Sequence, residues 1–378
     1  MKLSTARAGT PLRIAGRDVD FGFWAMKRGT RRWGVHSSIY ATNPWAVAEG
    51  AVRAEVAGQR PRAAALSFVS QAHEYFRAAD QASTIETRPL LYYYSFLNLG
   101  KALAIVRGRP NMVGRVEHGI APVGSSGHAV SSAELVTKRS ASNGKSVSVV
   151  DEVHQALEGS PVPAQQWPVR DILAQSVVGH RMWREGHVPT RKERIVPLDE
   201  VLLKEDRSTH QVWLQFRISR DRLRAADRSL TNLIDESQLA GAFRAVKDPD
   251  PEVNAAFHTL EQVSPVPYTD RAADVVMTAV DGVRPFLRTT VTSSHPYRRY
   301  YLYLSPPGET RMPQWLSTYA TLFWLGSLTR YQPVELFDAL DGPLGPFLRE
   351  FLDTQPNQLL YMLTSDLKRQ AVVRAAIV

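Results

Sequence analysis

Between Thr87 and Gly108 the chain is apolar in almost every direction a helix can present, except along one line. On a 3.6-residue period Tyr94, Asn98 and Lys101 share a stripe, while Leu, Tyr, Phe, Ala, Ile and Val fill most other positions of 88–106. Thr87 is placed to cap, Pro89 sits in the first turn where its missing N–H costs nothing, and Gly108 and Pro110 close the far end. A helix apolar nearly all round belongs in a large core or in a bilayer. This run falls short of the roughly 20 residues a bilayer requires and carries Asn98 and Lys101 centrally, so burial in protein is expected. A lysine in that position either snorkels along its stem or meets a carboxylate or a bound anion.

The same patterning predicts the other elements. Leu66, Val69, Ala72, Tyr75, Phe76 and Ala79 follow helical spacing, giving an amphipathic helix before the apolar one. Residues 113–120 and 147–150 read as short strands, 167–184 as helix, and 161–168 as a linker. Strict alternation over 210–219, with Val212, Leu214, Phe216 and Ile218 on one face, predicts a half-buried strand. Residues 221–247 and 252–263 read as helical, 286–304 as a hairpin turning at Ser293 to Pro296, and 315–331 as a second buried helix. Segments 347–352 and 358–373 complete a helical C-terminus. The expected fold class is α+β, predominantly α-helical, with a small antiparallel sheet built from the 200–220 and 286–304 strands. Residues 1–60 read as an irregular basic and aromatic arm and 61–378 as one body, within which 189–304 can form a sub-lobe.

Composition narrows the function classes. The 378 residues, 44% hydrophobic, suffice for one large core or two moderate ones. Zero cysteines exclude a disulfide scaffold, a thiolate zinc site, an iron–sulfur cluster and a cysteine nucleophile. The first 14 residues lack a continuous apolar stretch, so no secretory signal is read there and a cytoplasmic setting, with no membrane contact, is expected. The net charge of +9 favours polyanionic partners. Arginine outnumbers lysine about four to one, a bias that a GC-rich coding sequence also produces, although such a bias does not by itself create a charge excess.

Two helical signatures carry a family resemblance. The first is Gln71-x-x-Glu74-Tyr75-Phe76-x-Ala78-Ala79; after a short loop it is followed by "RPLLYYYSFLNLGKA" from Arg88. A Glu117-His118-Gly119 turn comes next, and "LFWLGSLTRYQP" runs from Leu322 to Pro333. In this combination the chain resembles the YaaC-like family of bacterial proteins over about residues 40–330. The resemblance implies a cytoplasmic, mainly helical protein. It brings no reaction, cofactor or catalytic residue to carry over, and for some members it implies a place in antiviral defence.

The candidate chemistry is correspondingly sparse. Asn143-Gly144-Lys145-Ser146 looks like half a phosphate-binding loop, but Arg139 stands where the leading glycine is needed and a strand pattern follows. Helical ribonucleases of the HEPN type use Arg-x4–6-His. Arg31/His36, Arg181/His187 and Arg288/His295 fit that spacing, a number chance alone supplies in so arginine-rich a chain. No HExxH or GxSxG occurs, and glycine is too dispersed for a dinucleotide fold. His118 is a candidate general base or a structural turn residue. Arg298, Arg299, Tyr300 and Tyr301 alternate along a strand, so one Arg–Tyr pair can face solvent as a phosphate-and-stacking platform or merely solvate a half-buried sheet.

Packing the 315–331 helix on 88–106 would place Arg330, Arg88 and Lys101 along one basic cleft. The expected ligand-binding set is therefore Arg88, Tyr94, Asn98, Lys101, His118, Arg298 and Arg330, without metal or cofactor. Three functions remain in view. The leading one is a polyanion-binding component, for nucleic acid or nucleotide phosphate, within a larger system such as antiviral defence. The second is a protein-interaction or homo-oligomerising subunit; the third is a HEPN-like ribonuclease.

Overall fold

The computed structural model describes residues 3–24, 38–114, 116–124, 127–142, 146–186 and 193–375. The chain divides into two compact units, one formed by 1–40, 192–311 and 369–378, the other by 41–191 and 312–368.

The second unit is helical, and the apolar segment lies at its centre. Helix Arg88–Val106 has Pro89 in its first turn, with Tyr92, Tyr93, Phe96, Leu97, Leu99, Leu103 and Ile105 buried. Thr87 stands at the N-cap but makes no capping bond; its hydroxyl donates instead to the Thr84 carbonyl. Around this helix pack Gln59–Asp80, Val149–Glu158, Gln314–Tyr331 and the long helix Gly345–Lys368. The last of these is continuous through Pro356, joining the segments expected at 347–352 and 358–373, but it ends at Lys368, and Val372–Arg374 is a strand where helix was expected. Pro44–Glu55, opened by Asn43 accepting from the Trp45 and Ala46 amides, adds Trp45 to the core, stacked on His73. A three-stranded antiparallel sheet, Ile120–Pro122, Glu134–Thr137 and Gln166–Pro168, lies in the same unit.

The first unit overturns the expected fold class. It holds a seven-stranded mixed sheet rather than a small antiparallel one. Its order is Ser4–Thr5, Phe243–Lys247, Phe257–Gln262, Gln211–Ser219, Glu200–Asp206, Thr10–Pro11, with Val266–Pro267 also paired to Gln211–Ser219. Among the described residues helix makes up 45% and strand 20%, and four smaller sheets accompany the large one. The 200–220 and 286–304 strands therefore do not form one sheet. Leu287–Val291 and Arg298–Tyr303 form the expected hairpin, joined by Ile195–Pro197 in a separate three-stranded sheet.

Two strands of this sheet fall where the sequence pattern predicts helix. Asp250 caps a helix as its sequence suggests, yet that helix stops at Ala256 and the chain continues extended through Phe257–Gln262. Phe243–Lys247 follows two short helices, Arg220–Ala225 and Leu230–Glu236. Burial on the sheet, not local propensity, selects these strands. The Gln211–Ser219 strand is correspondingly buried on both faces: Val212, Leu214, Phe216 and Ile218 on one, Trp213 and Gln215 on the other. Glu261 is fully buried there, meeting Arg244 at 2.6 Å and accepting from the Arg7 amide at 3.0 Å. The strand expected at 147–150 is instead the start of a helix, because Ser148 accepts from the Asp151 amide as its N-cap.

No described helix is long and apolar enough to cross a membrane.

Candidate functional site

The two helical signatures form an antiparallel hairpin of helices. Ser95 Oγ donates to the Ala72 carbonyl at 2.7 Å, Tyr92 donates to Asp80 at 2.5 Å, and Phe76 packs edge-on against Tyr92 and Phe96. Two further rungs lie on its partly exposed edge. Tyr75 stacks on Tyr94 with centroids 5.6 Å apart, and the Lys101 ammonium sits 5.1 Å from the Phe68 ring centroid. Phe68 and Tyr75 are seven residues apart on one helix, as are Tyr94 and Lys101 on the other, so each pair lies on a single stripe.

The Gln314–Tyr331 helix contributes Arg330 to the same edge. Gly326, one turn earlier, lets the backbones approach: a Cβ there would stand 3.3 Å from Leu90 Cα. Arg330 donates to the Tyr94 hydroxyl at 2.9 Å and to the Tyr331 hydroxyl. Its guanidinium lies 4.6 Å from the Tyr331 ring centroid and 6.0 Å from that of Tyr94.

His118 arrives on a loop pinned to the start of Val149–Glu158. The first amides of that helix lack intrahelical partners; Val149 and Val150 donate theirs to the carbonyls of Glu117 and His118. Gly119 is required at this turn. It holds a φ of +82°, and a Cβ would fall 2.0 Å from Ser148 Oγ. His118 Nδ1 is hydrogen-bonded to the Tyr93 hydroxyl, and the Tyr93 ring lies 5.5 Å from Tyr319 and 5.4 Å from Phe323.

The electrostatics of this group are one-sided. Burial, then the charges of Lys101 and Arg330, holds the His118 imidazole below its ordinary range, favouring the neutral ring. Burial alone lowers Lys101. It also raises the Tyr93 and Tyr319 hydroxyls, so both stay protonated. Among the described residues no carboxylate lies within ion-pair distance of Lys101, Arg330 or His118. Asn98, on the Tyr94–Lys101 stripe, is 6% exposed and makes no side-chain hydrogen bond to a described residue. An ammonium, a guanidinium, an imidazole and an amide thus supply donors in one place, without an acidic acceptor among the described residues.

The structure brings Tyr94, Lys101, His118 and Arg330 together, with Asn98 on their stripe. Arg88 is engaged elsewhere, in an ion pair with Asp353 at 2.7 Å and a hydrogen bond to Tyr92. Arg298 belongs to the sheet unit. There its guanidinium lies 4.6 Å from the Trp24 ring centroid and donates to the Val372 carbonyl, while Tyr300 is buried against Phe21 and Phe23. Arg299 stays exposed on the opposite face. Of the arm's basic and aromatic residues, Phe23 and Trp24 are buried, whereas Lys27, Arg28, Arg31, Arg32 and Trp33 lie outside the described residues. The 143–145 segment, His36 and His187 lie outside them too, so two of the three Arg/His pairs are incompletely described. In the third, Arg288 is buried and lies 5.4 Å from the Tyr303 ring centroid, while His295 is exposed in the hairpin turn. No group of three or more metal-ligating side chains occurs among the described residues.

Sequence reading did not assign Phe68, Tyr75, Tyr93 or Tyr319 to this group. The signal for the first two was present: aromatic residues seven apart on a helix, antiparallel to a helix bearing Tyr94 and Lys101 seven apart.

Searches of curated proteins and of solved structures find no match to this chain. The family described as YaaC-like Protein matches residues 30–367, a span that contains every residue of the group around Lys101. The chain belongs to the YaaC-like protein family.

Proposed function

We propose that the protein binds a polyanion, nucleic acid or nucleotide phosphate, at the edge formed by Lys101, Arg330, His118, Asn98 and Tyr94. One observation carries the reading: a half-buried ammonium and a guanidinium, both near enough to His118 to add to the lowering that burial causes, have no carboxylate partner among the described residues. Desolvating an unpaired cation is costly, and a phosphate at this edge would offset that cost with charge-assisted hydrogen bonds. The amide of Asn98 would add a neutral donor. Such a protein would act as a component of a larger assembly, and a role in antiviral defence is consistent with polyanion recognition.

The test is binding of a labelled oligonucleotide by the full-length chain over a range of salt. Single-strand contacts give a slope of about −0.7 in log affinity against log salt for each phosphate neutralised. Loss of Lys101 and Arg330 in a Lys101→Met/Arg330→Ala variant is expected to flatten the slope by about 1.4, at roughly 0.7 per contact. A folded double variant with undiminished affinity would falsify the choice of site.

A second reading has its own support. Val334 and Phe337, 71% and 60% exposed, place apolar surface on one side of helix Pro333–Asp341. That favours a protein-interaction or oligomerising subunit. Salt-insensitive self-association that is abolished by Phe337→Asp would support it.

A further inference from the structure

We infer that the site takes single-stranded nucleic acid through base stacking, along a row of aromatic faces that runs from Phe68 to Tyr331. The inference rests on the polyanion reading and adds to it the class of ligand. A site for inorganic phosphate or a polyphosphate chain needs cations alone. Here each cation is paired with a ring. Lys101 lies against Phe68, and Arg330 lies between Tyr94 and Tyr331 while donating to both hydroxyls. These hydrogen bonds fix the guanidinium, while Tyr331 remains 63% exposed and Tyr75, stacked on Tyr94, 37% exposed. Large aromatic rings left in water beside unpaired cations fit a ligand that carries both flat apolar faces and negative charge, which is the chemistry of unpaired nucleotides.

The spacing of the rungs sets a footprint. Seven residues separate Phe68 from Tyr75 and Tyr94 from Lys101, so at a rise of about 1.5 Å per residue the rungs stand about 10 Å apart. Stacked nucleotides advance about 3.4 Å each, so about three steps span the two rungs. Arg330 and Tyr331 extend the row past Tyr94, giving an expected site of about four nucleotides, at the short end of known single-strand sites. A duplex, its bases already stacked on one another, offers these rings no free face.

The experiment compares a labelled oligothymidylate, an abasic oligonucleotide of equal length and charge, and a hairpin duplex, each titrated into the full-length chain. The thymidylate is expected to bind at least tenfold tighter than either of the others, with affinity levelling off near four nucleotides. Tyr331→Ala and Tyr75→Ala, both at exposed rings, should each narrow the thymidylate-to-abasic affinity ratio at least fivefold. Tyr331→Phe, which keeps the ring, should retain tight binding. Equal affinity for thymidylate and abasic strands, still sensitive to Lys101→Met, would overturn the stacking inference and leave polyanion binding standing. Absence of binding to all three would overturn both.

Discussion

If an anion binds beside His118, protons must bind with it. In the free protein the imidazole is held below its ordinary 6.5, first by burial and then by Lys101 and Arg330. A phosphate placed against those cations reverses the field, and an opposite charge within about 4–6 Å raises a histidine by roughly 1–3 pH units. The sign follows from linkage. At alkaline pH the ring is neutral in both free and bound protein, so affinity is independent of pH. As pH falls past the bound-state value the complex takes up a proton, and affinity grows until the free ring also titrates. Each unit of difference is worth about 1.4 kcal/mol, a factor of ten. Oligonucleotide affinity at constant ionic strength should therefore rise several-fold, on the order of tenfold, between roughly pH 7.5 and pH 5.5. Calorimetry in buffers of different ionisation enthalpy should record proton uptake. The groups facing His118 are Tyr93, Tyr94, Lys101 and Arg330; the dependence is assigned to the imidazole, so His118→Gln should abolish it. A flat profile in the parent protein, or an unchanged slope in His118→Gln, would refute the reasoning.

Other consequences concern stability. Lys101→Met removes an unpaired half-buried charge while giving up a contact with Phe68 worth about 0.5–1 kcal/mol. Thermal unfolding should therefore shift by no more than about 1 kcal/mol even as binding weakens, and a loss above about 2 kcal/mol would mean the ammonium is structural. Gly326→Val places branched carbons against Leu90 and should cost about 1–3 kcal/mol in a denaturant titration, with Arg330 displaced from Tyr94; an unperturbed midpoint would contradict the close helix approach. Acid should destabilise the fold through His118, because the unfolded ring protonates near 6.5 and the folded one resists; the loss begins as pH falls through that value and should be smaller in His118→Gln.

Much of the site could be read from the chain because its logic is local. Tyr94, Asn98 and Lys101 interrupt an otherwise apolar helix, and no tertiary context was needed to see that a cation had been carried toward a core. Arg330 followed from asking what the second buried helix would bring to the first. For Arg88, position on the same helix says nothing about which neighbour claims it, and Asp353 lies 265 positions away in sequence. The hairpin pattern leaves open which Arg–Tyr pair faces solvent, and Trp24, remote in sequence, lies against Arg298. The sheet was the least legible part. Strands such as Phe257–Gln262 acquire their pairing from Gln211–Ser219, and the helix cap at Asp250 gives a correct local signal that ends within six residues.

The central claim is that an anion occupies the edge where Lys101 and Arg330 meet. A crystal structure of the full-length chain with a short oligothymidylate carrying 5-bromouracil tests it most directly, since bromine marks the bases and phosphorus the backbone. The account predicts a phosphate within hydrogen-bonding distance of Lys101 Nζ and the Arg330 guanidinium, with a base against Tyr331. Phosphate density elsewhere on the molecule, with the Lys101 ammonium turned to solvent, would contradict it.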